Sequence, residues 1–369
     1  MKTRPFAVSL FSAIFLAACG TQAQAPAAPA TSAPASAAAS APASTAPAAS
    51  PGGQPIKVKV ATQHVATDAP LYIASEKGYF KDQGLDIQFN DVNGGTDTLP
   101  LVVSGQLDVA VGSISSGLYN AVARNMGVKL VSTKGASPLQ PNLSKPATAI
   151  VLSKQAATTI KDYKDLKGKN VAISEHGNGL EIELDHILQR GGLTLNDVDI
   201  KTLTFPATLP ALANGSIDAS MELQPWITQG RAKNILTVWH DLAEFSPGNQ
   251  ANALVYGPTM QQLGDAGNRF MVAYTKAMRY YTDATGPKHA NWEEFVQIMT
   301  KNTSLKDPAL YDQVGWNYMN PNCSLNVASM NDSLDWYAAH GYVKTKPDLK
   351  AAVDDSYCQY ALKQLGQYS

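Results

Sequence analysis

The side chains able to do chemistry gather in short stretches, each following an apolar or alternating run. His64 and Asp68 come after KVAT. Gly94, Gly95 and Thr96 come after LDIQFNDV. Ser113, Ser115 and Ser116 come after LDVAVG, and Glu175, Asn178 and Gly179 come after KNVAIS. Glu222, Gln224 and Trp226 close the run IDASM, and Tyr256 stands in NALVYGP. Together they offer carboxylates (Asp68, Glu222), an imidazole, amides, hydroxyls and an indole. The four loop stretches contain neither Lys nor Arg. Such a set suits a neutral, flat solute with several N–H and O–H groups. Trp226 can stack on a ring, and Glu222 can accept from a ring N–H or a hydroxyl. An oxyanion could be held by helix N-termini alone, but a cationic side chain would strengthen it. Each candidate also has a purely structural role open to it. Thr96 and Ser113 can be helix N-caps, Asn178 and Gly179 a turn, Trp226 core and His64 a surface histidine.

Catalytic signatures are missing at the spacings chemistry requires. SISSG fails G-x-S-x-G at Ser113, and GNGLEI fails G-x-G-x-x-G at Ile182. The six histidines form no H-x-x-x-H or H-x-H pair for zinc, and no phosphate loop of the G-x-x-x-x-G-K-[ST] kind occurs. The expectation is a binding protein with no catalytic residue, metal or cofactor.

The elements that position these loops alternate. IKVKVAT, LDIQFNDV, LDVAVGS and VKLVST read as strands, separated by helical segments, and the pattern restarts after TAIVLSKQ. The helix in LYIASEKGYFKDQGL is expected to end near Gly78. In the second series, a helix carrying Leu180, Leu184, Ile187 and Leu188 is closed by Gly191, and another runs from Thr208 to Asn214. This rhythm predicts an α/β fold with largely parallel sheets. After Pro258 the chain reads as mostly helical. Two phrases match, LPLVVSGQLDVAVGS and LPALANGSIDASMEL, each giving helix, Gly, Asp and a short apolar strand. The residues after Pro55 exceed the ~250–300 at which one core stops growing, so two lobes facing each other across a cleft are expected.

The first residues form a different object. Lys2 and Arg4 precede an apolar run, Phe6 to Leu16, too short to span a bilayer. LAAC ends that run in the manner of a lipobox, so residues 1–18 read as a signal peptide and Cys19 as the lipidated residue, anchoring but not spanning. Residues 19–55 are almost all Ala, Pro and Ser. They cannot offset their own chain entropy and read as a semi-flexible tether reaching on the order of 100 Å at about 3.1 Å per residue. With Cys19 used, Cys323 and Cys358 remain as an even pair free to bridge outside the cytoplasm. Lys and Arg total 29 against 30 Asp and Glu, with no basic cluster, which argues against nucleic acid as a partner.

APLYIASEKGYFKDQGLDIQF, GGTDTLPLVVSGQLDVAVGS and PALANGSIDASMELQPW together resemble the substrate-binding proteins of bacterial ABC importers. The branch is the one that includes binders of sulfonates, nitrate, thiamine pyrimidines and riboflavin. The resemblance runs from about Lys57 to Leu365. It implies a two-lobed type II periplasmic binding protein, with residues 56–150 and 254–369 in lobe I and 151–253 in lobe II. The implied hinges lie near 148–153 and 253–258. The implied site comprises His64, Asp68, Gly95, Thr96, Ser113, Ser115, Ser116, Asn178, Glu222, Trp226 and Tyr256. The implied partners are a membrane permease and its ATPase, with the protein lipid-anchored on the outer face of the cell membrane. Among ligands the residue set points to riboflavin first, thiamine pyrimidine next, and a sulfonate or nitrate after them. A thiamine-pyrimidine synthase shares the fold and the EKGYF region, but that family carries a Cys-rich iron motif and consumes its own histidine. Here Cys323 and Cys358 stand well apart.

Overall fold

The matching phrases take equivalent places in two sheets, and one aspartate in each shows why. Asp108 Oδ2 accepts from the Lys59 backbone N–H at 2.8 Å, and Asp218 Oδ2 accepts from that of Asn170 at 2.9 Å. The return bonds, Asp108 N–H to Lys59 O and Asp218 N–H to Asn170 O, are both 2.9 Å. Each aspartate therefore pins the start of its strand to the strand beside it. The glycine before it, Gly105 at φ +77° or Gly215 at φ +75°, ends the preceding helix in the left-handed region where a side chain would be strained.

The computed structural model describes residues 54–92 and 98–369. The first series runs β1 (Ile56–Thr62), α1 (Ala69–Glu76), α2 (Tyr79–Asp82), β2 (Leu85–Asp91), α3 (Thr98–Val103), β3 (Val109–Ser113), α4 (Ser116–Ala123) and β4 (Lys129–Gly135). The second runs β5 (Thr148–Ser153), α5 (Ala156–Thr159), β6 (Asn170–Ile173), α6 (Gly179–Arg190), β7 (Asp199–Thr202), α7 (Phe205–Asn214), β8 (Ala219–Leu223), α8 (Trp226–Ala232) and β9 (Leu236–Asp241). Then follow β10 (Asn252–Tyr256), α9 (Pro258–Gln262), α10 (Ala266–Thr285), α11 (Trp292–Asn302), α12 (Val327–Ala339), α13 (Leu349–Ala352) and α14 (Ser356–Leu365).

The strands form two sheets of like order, β2-β1-β3-β10-β4 and β7-β6-β8-β5-β9. The expectation of largely parallel sheets is corrected here: each sheet is mixed. The pairs β1·β2, β1·β3, β6·β7 and β6·β8 are parallel, whereas β10 lies antiparallel to β3 and β4, and β5 antiparallel to β8 and β9. The chain crosses between sheets over residues 136–147 and returns over 242–251. The segments expected to hinge, near 148–153 and 253–258, are instead largely strands β5 and β10 inside their sheets.

Local differences have local causes. As expected, α1 ends just before Gly78, where the chain turns at φ +73° and begins the short α2. Helix α7 starts at Phe205, three residues before Thr208, because Pro206 sits in the first turn, where its missing N–H costs nothing. Gly192, at φ +66°, rather than Gly191, takes the left-handed turn after α6. Gly191 is needed for another reason: a Cβ there would lie 2.6 Å from the backbone of Tyr163 and Lys164.

The first sheet's core is continuous with the C-terminal helices. Val58, Val109, Leu254, Phe270, Tyr274, Met278, Phe295 and Tyr337 belong to one buried cluster. Cys323 and Cys358 are disulfide-bonded, with Cα atoms 5.9 Å apart, tying α14 to the loop before α12. Inside this half lies a fully buried ion pair, Lys134 Nζ to Asp68 Oδ1 at 2.7 Å. Thr67 Oγ1 accepts from the same ammonium at 2.9 Å, while Thr62 Oγ1 (3.0 Å) and the Gln63 N–H (2.9 Å) donate to Asp68 Oδ2. Removing the cation leaves a carboxylate uncompensated in the core. Lys134→Met is therefore expected to cost about 3–5 kcal/mol in urea unfolding, and the double variant Asp68→Asn/Lys134→Met markedly less.

Candidate functional site

Both sheets turn the same kind of edge toward one cavity. The carboxyl ends of the parallel strands supply Gln63, Ser113, Ser174 and Leu223, and the amino ends of the antiparallel strands supply Asn252 and Thr148. Ligands collect at such edges because loops there open into helix N-termini. Val65, Thr67, Ser137, Glu175, Asn178, Gly179, Leu180, Glu183, Phe205, Leu242, Asn249, Ala251 and Asn317 complete the wall. The space between these walls is about 840 Å³, counting its open mouth.

The two halves touch around that cavity. The Ser116 N–H donates to Gly177 O at 2.9 Å, and the Ala66 N–H to Gln224 O at 3.2 Å. Farther out, Trp336 Nε1 donates to Asp185 Oδ2 at 2.8 Å and Tyr342 Oη to Glu181 Oε1 at 3.0 Å.

Of the residues expected at the site, Ser113 and Asn178 line the cavity. Ser115 is buried beside it and caps α4, accepting from the Leu118 N–H at 3.3 Å. Ser116 contributes the bridging N–H rather than a cavity hydroxyl. Gly95, Thr96 and Cys19 lie outside the described residues.

Five candidates are placed elsewhere. His64 turns outward, Nδ1 being 2.8 Å from Asn302 O and Nε2 2.9 Å from Asp91 Oδ1. Asp68 sits behind Thr67, spent on Lys134. Glu222 shares a face of β8 with Ser220, because strand residues alternate, and the residue turned to the cavity is its neighbour Leu223. Trp226 packs with Leu209 and Ile227 against the second sheet's core. Tyr256 was expected at the cleft because its strand returns there, but β10 runs the other way. Asn252 stands opposite Ser113 and Tyr256 opposite Val109, at the far end of the sheet. The Tyr256 hydroxyl donates to Gly267 O at 2.8 Å in a fully buried setting.

Glu183, Phe205, Asn249 and Asn317 were not foreseen. Glu183 lies one turn into α6, between residues counted as its apolar face, and is buried like Glu181 and Asp185 on either side. Ser246 Oγ donates to its Oε2 at 3.0 Å and Asn249 Nδ2 to its Oε1 at 3.2 Å, so α6 grips the returning crossover. Burial pushes the Glu183 carboxyl up to about 7. The same cause pushes Glu222 up to about 7, although Ser220 Oγ donates to it at 2.7 Å. A clue to Glu183 was present in the sequence: three acids at alternate positions cannot all face solvent on one helix.

Residues 66–284 match the model of the family described as NMT1/THI5 like. The chain belongs to the NMT1/THI5-like family. Within reach of this NMT1/THI5-like chain is the 4-amino-5-hydroxymethyl-2-methylpyrimidine phosphate synthase of Aspergillus parasiticus, 31% identical over 157 residues, 42% of each chain. The chain thus spans about two fifths of the length of that curated relative. In structure it is similar to the ligand-binding component of an ABC-type import system from Staphylococcus aureus (TM-score 0.68, 14% identity, 83% of this chain and 99% of that one). It is also similar to the alkanesulfonate-binding protein SsuA of Xanthomonas axonopodis pv. citri bound to MOPS (TM-score 0.64, 15% identity, 82% and 99%). These likenesses establish the two-lobed α/β periplasmic binding protein fold. Among the described residues no helix is long and apolar enough to cross a membrane.

The two raised carboxyls have a measurable consequence. Between about pH 4.5 and 7 the folded chain holds protons on Glu183 and Glu222 that the unfolded chain releases, so stability falls as pH rises through that window. Glu222→Gln removes one of the two penalties. It is expected to stabilise the chain by on the order of 2–3 kcal/mol at pH 8 and to change little at pH 4.5, read from urea unfolding at both values.

Proposed function

We propose that this chain is the extracytoplasmic solute-binding component of an ABC-type importer. Its two halves close on a small heteroaromatic solute and present it to a membrane permease, with ATP hydrolysed by the permease's partner ATPase. Cys19 holds the chain to the outer face of the cell membrane by a lipid, and residues 19–55 let it reach the permease. The observation that carries the reading is the cavity at the strand ends of both sheets. It is walled by amides, hydroxyls and a few apolar side chains, with backbone hydrogen bonds joining the halves around it.

The ligand favoured is an aminopyrimidine rather than riboflavin. The flavin expectation rested on Trp226 to stack and Glu222 to accept, and neither lines the cavity. The aromatic side chain on the wall is Phe205, a partner for one ring. The name of the Aspergillus relative, for a phosphorylated aminopyrimidine, supports the same class. A synthase reading draws on that name too. It is weakened by the wall, since none of the six histidines of the sequence is among the lining residues.

Titration of the chain lacking residues 1–18, followed by tryptophan fluorescence, is expected to give a Kd of about 1 µM or tighter for 4-amino-5-hydroxymethyl-2-methylpyrimidine, with weaker or no response to riboflavin. Iron retention together with a pyrimidine product from pyridoxal phosphate would overturn the transport reading.

A further inference from the structure

We infer that the cleft takes a solute bearing a protonated or N–H-rich nitrogen group, held by the carboxylate of Glu183, and turns away sulfonates, nitrate and other oxyanions. This deepens the solute-binding reading above and rests on it.

The first ground is the charge of the wall. Among the described lining residues the ionisable groups are Glu175 and Glu183, and there is no Lys, Arg or His. The segment 93–97, Asn-Gly-Gly-Thr-Asp, adds no cation to the sequence nearby. Lys134 lies behind Thr67, a residue of the wall. Its Nζ is taken by Asp68 at 2.7 Å and by Thr67 at 2.9 Å, so its charge is balanced before it reaches the cavity. His186, 4.0 Å from Glu183, is held below its ordinary pKa by burial.

The second ground is the state of the helix ends. An anion without a cationic side chain must be held by free N–H groups at helix N-termini. At α6 those of Leu180 and Glu181 are taken by Asn178 Oδ1 at 3.0 and 3.2 Å. At α4 the N–H of Leu118 goes to Ser115 and that of Ser116 to Gly177 O. At these two helix ends the N–H groups of Leu180, Glu181, Leu118 and Ser116 are spent on caps and on joining the halves.

The third ground is the unused capacity of Glu183. A carboxylate has about four acceptor positions. Ser246 and Asn249 fill one on each oxygen. The remaining lone pairs sit on a residue that lines the cavity, in a buried setting where a charge-assisted hydrogen bond from a ligand is strong. Amidine-like aminopyrimidines, amidines and amines present the matching donors.

The test is calorimetric titration at pH 8, above the raised pKa of Glu183, of the chain lacking residues 1–18 with three probes: 4-amino-5-hydroxymethyl-2-methylpyrimidine, ethanesulfonate and nitrate. The unaltered protein is expected to bind the aminopyrimidine and to give no saturable heat with either anion. Glu183→Gln, which keeps the side chain's shape, is expected to weaken the aminopyrimidine about tenfold or more while its ligand-free melting temperature stays at or above that of the unaltered protein. Ethanesulfonate or nitrate binding more tightly than the aminopyrimidine overturns the inference and leaves the solute-binding reading standing. So does undiminished aminopyrimidine affinity in Glu183→Gln. The anion comparison needs no variant, so a misfolded Glu183→Gln would not shield the inference. Silence from all three probes and from riboflavin would remove the solute-binding reading, and this inference with it.

Discussion

Asn252 stands opposite Ser113, and Thr148 opposite Leu223. These two pairings mark where a strand enters each sheet antiparallel, and the rest of the site depends on them. A parallel strand brings its carboxyl end to the ligand edge; an antiparallel one brings its amino end. Residues just before β5 and β10 therefore reach the cavity, and residues at the end of β10 are carried away from it. The crossovers, 136–147 and 242–251, have to pass beside the cavity to make these entries, which is why Ser137, Leu242 and Asn249 are part of its wall. The order of chain through the two sheets thus decides which side chains meet a ligand.

The same constraint orders the electrostatics. Helix N-termini converge on the cavity from both halves, and left open they would make it electropositive. Part of that capacity is used: Asn178, Ser115 and the Ser116–Gly177 bond take N–H groups at the starts of α6 and α4, and among the described residues the fully buried ammonium, Lys134, is matched by Asp68. Among the described lining residues the ionisable groups are the carboxyls of Glu175 and Glu183, an excess of acid over base. A closed, partly dry space magnifies that imbalance relative to water, so a small difference in side-chain inventory becomes a large difference in ligand preference.

Much of this fold could be read in the chain. The repeated helix–Gly–Asp–strand phrase is local chemistry. Gly105 and Gly215 need positive φ, and Asp108 and Asp218 each pin a neighbouring strand, so both copies announce themselves. The loops at 113–116 and 175–179 were legible for the same reason. What escaped depended on direction and parity. Tyr256 was misplaced because the sequence does not say which way β10 runs. Glu222 and Leu223 differ by one step in strand alternation, and the sequence alone does not say which of the two faces the cavity. Strand β9, LTVWHD, carries too little alternation to stand out, its residues being mostly half-exposed. Glu183 was hidden because a carboxylate inside an apolar helical face looks solvated until the partner surfaces are known.

On the proposed reading, Glu183 would also join binding to closure. Its helix, α6, carries Glu181 and Asp185 to Tyr342 and Trp336 on the other half, and its own carboxylate holds Ser246 and Asn249 of the returning crossover. Each such bond contributes only about 0.5–1.5 kcal/mol net, because the open state satisfies the same groups with water. On the solute-binding reading proposed above, they would set the balance between closed and open arrangements. A ligand then shifts the balance only through contacts made better in the closed form. A donor on Glu183 makes such a contact. It reinforces a residue already bonded to the returning crossover, so gripping the solute and holding that segment would become one interaction.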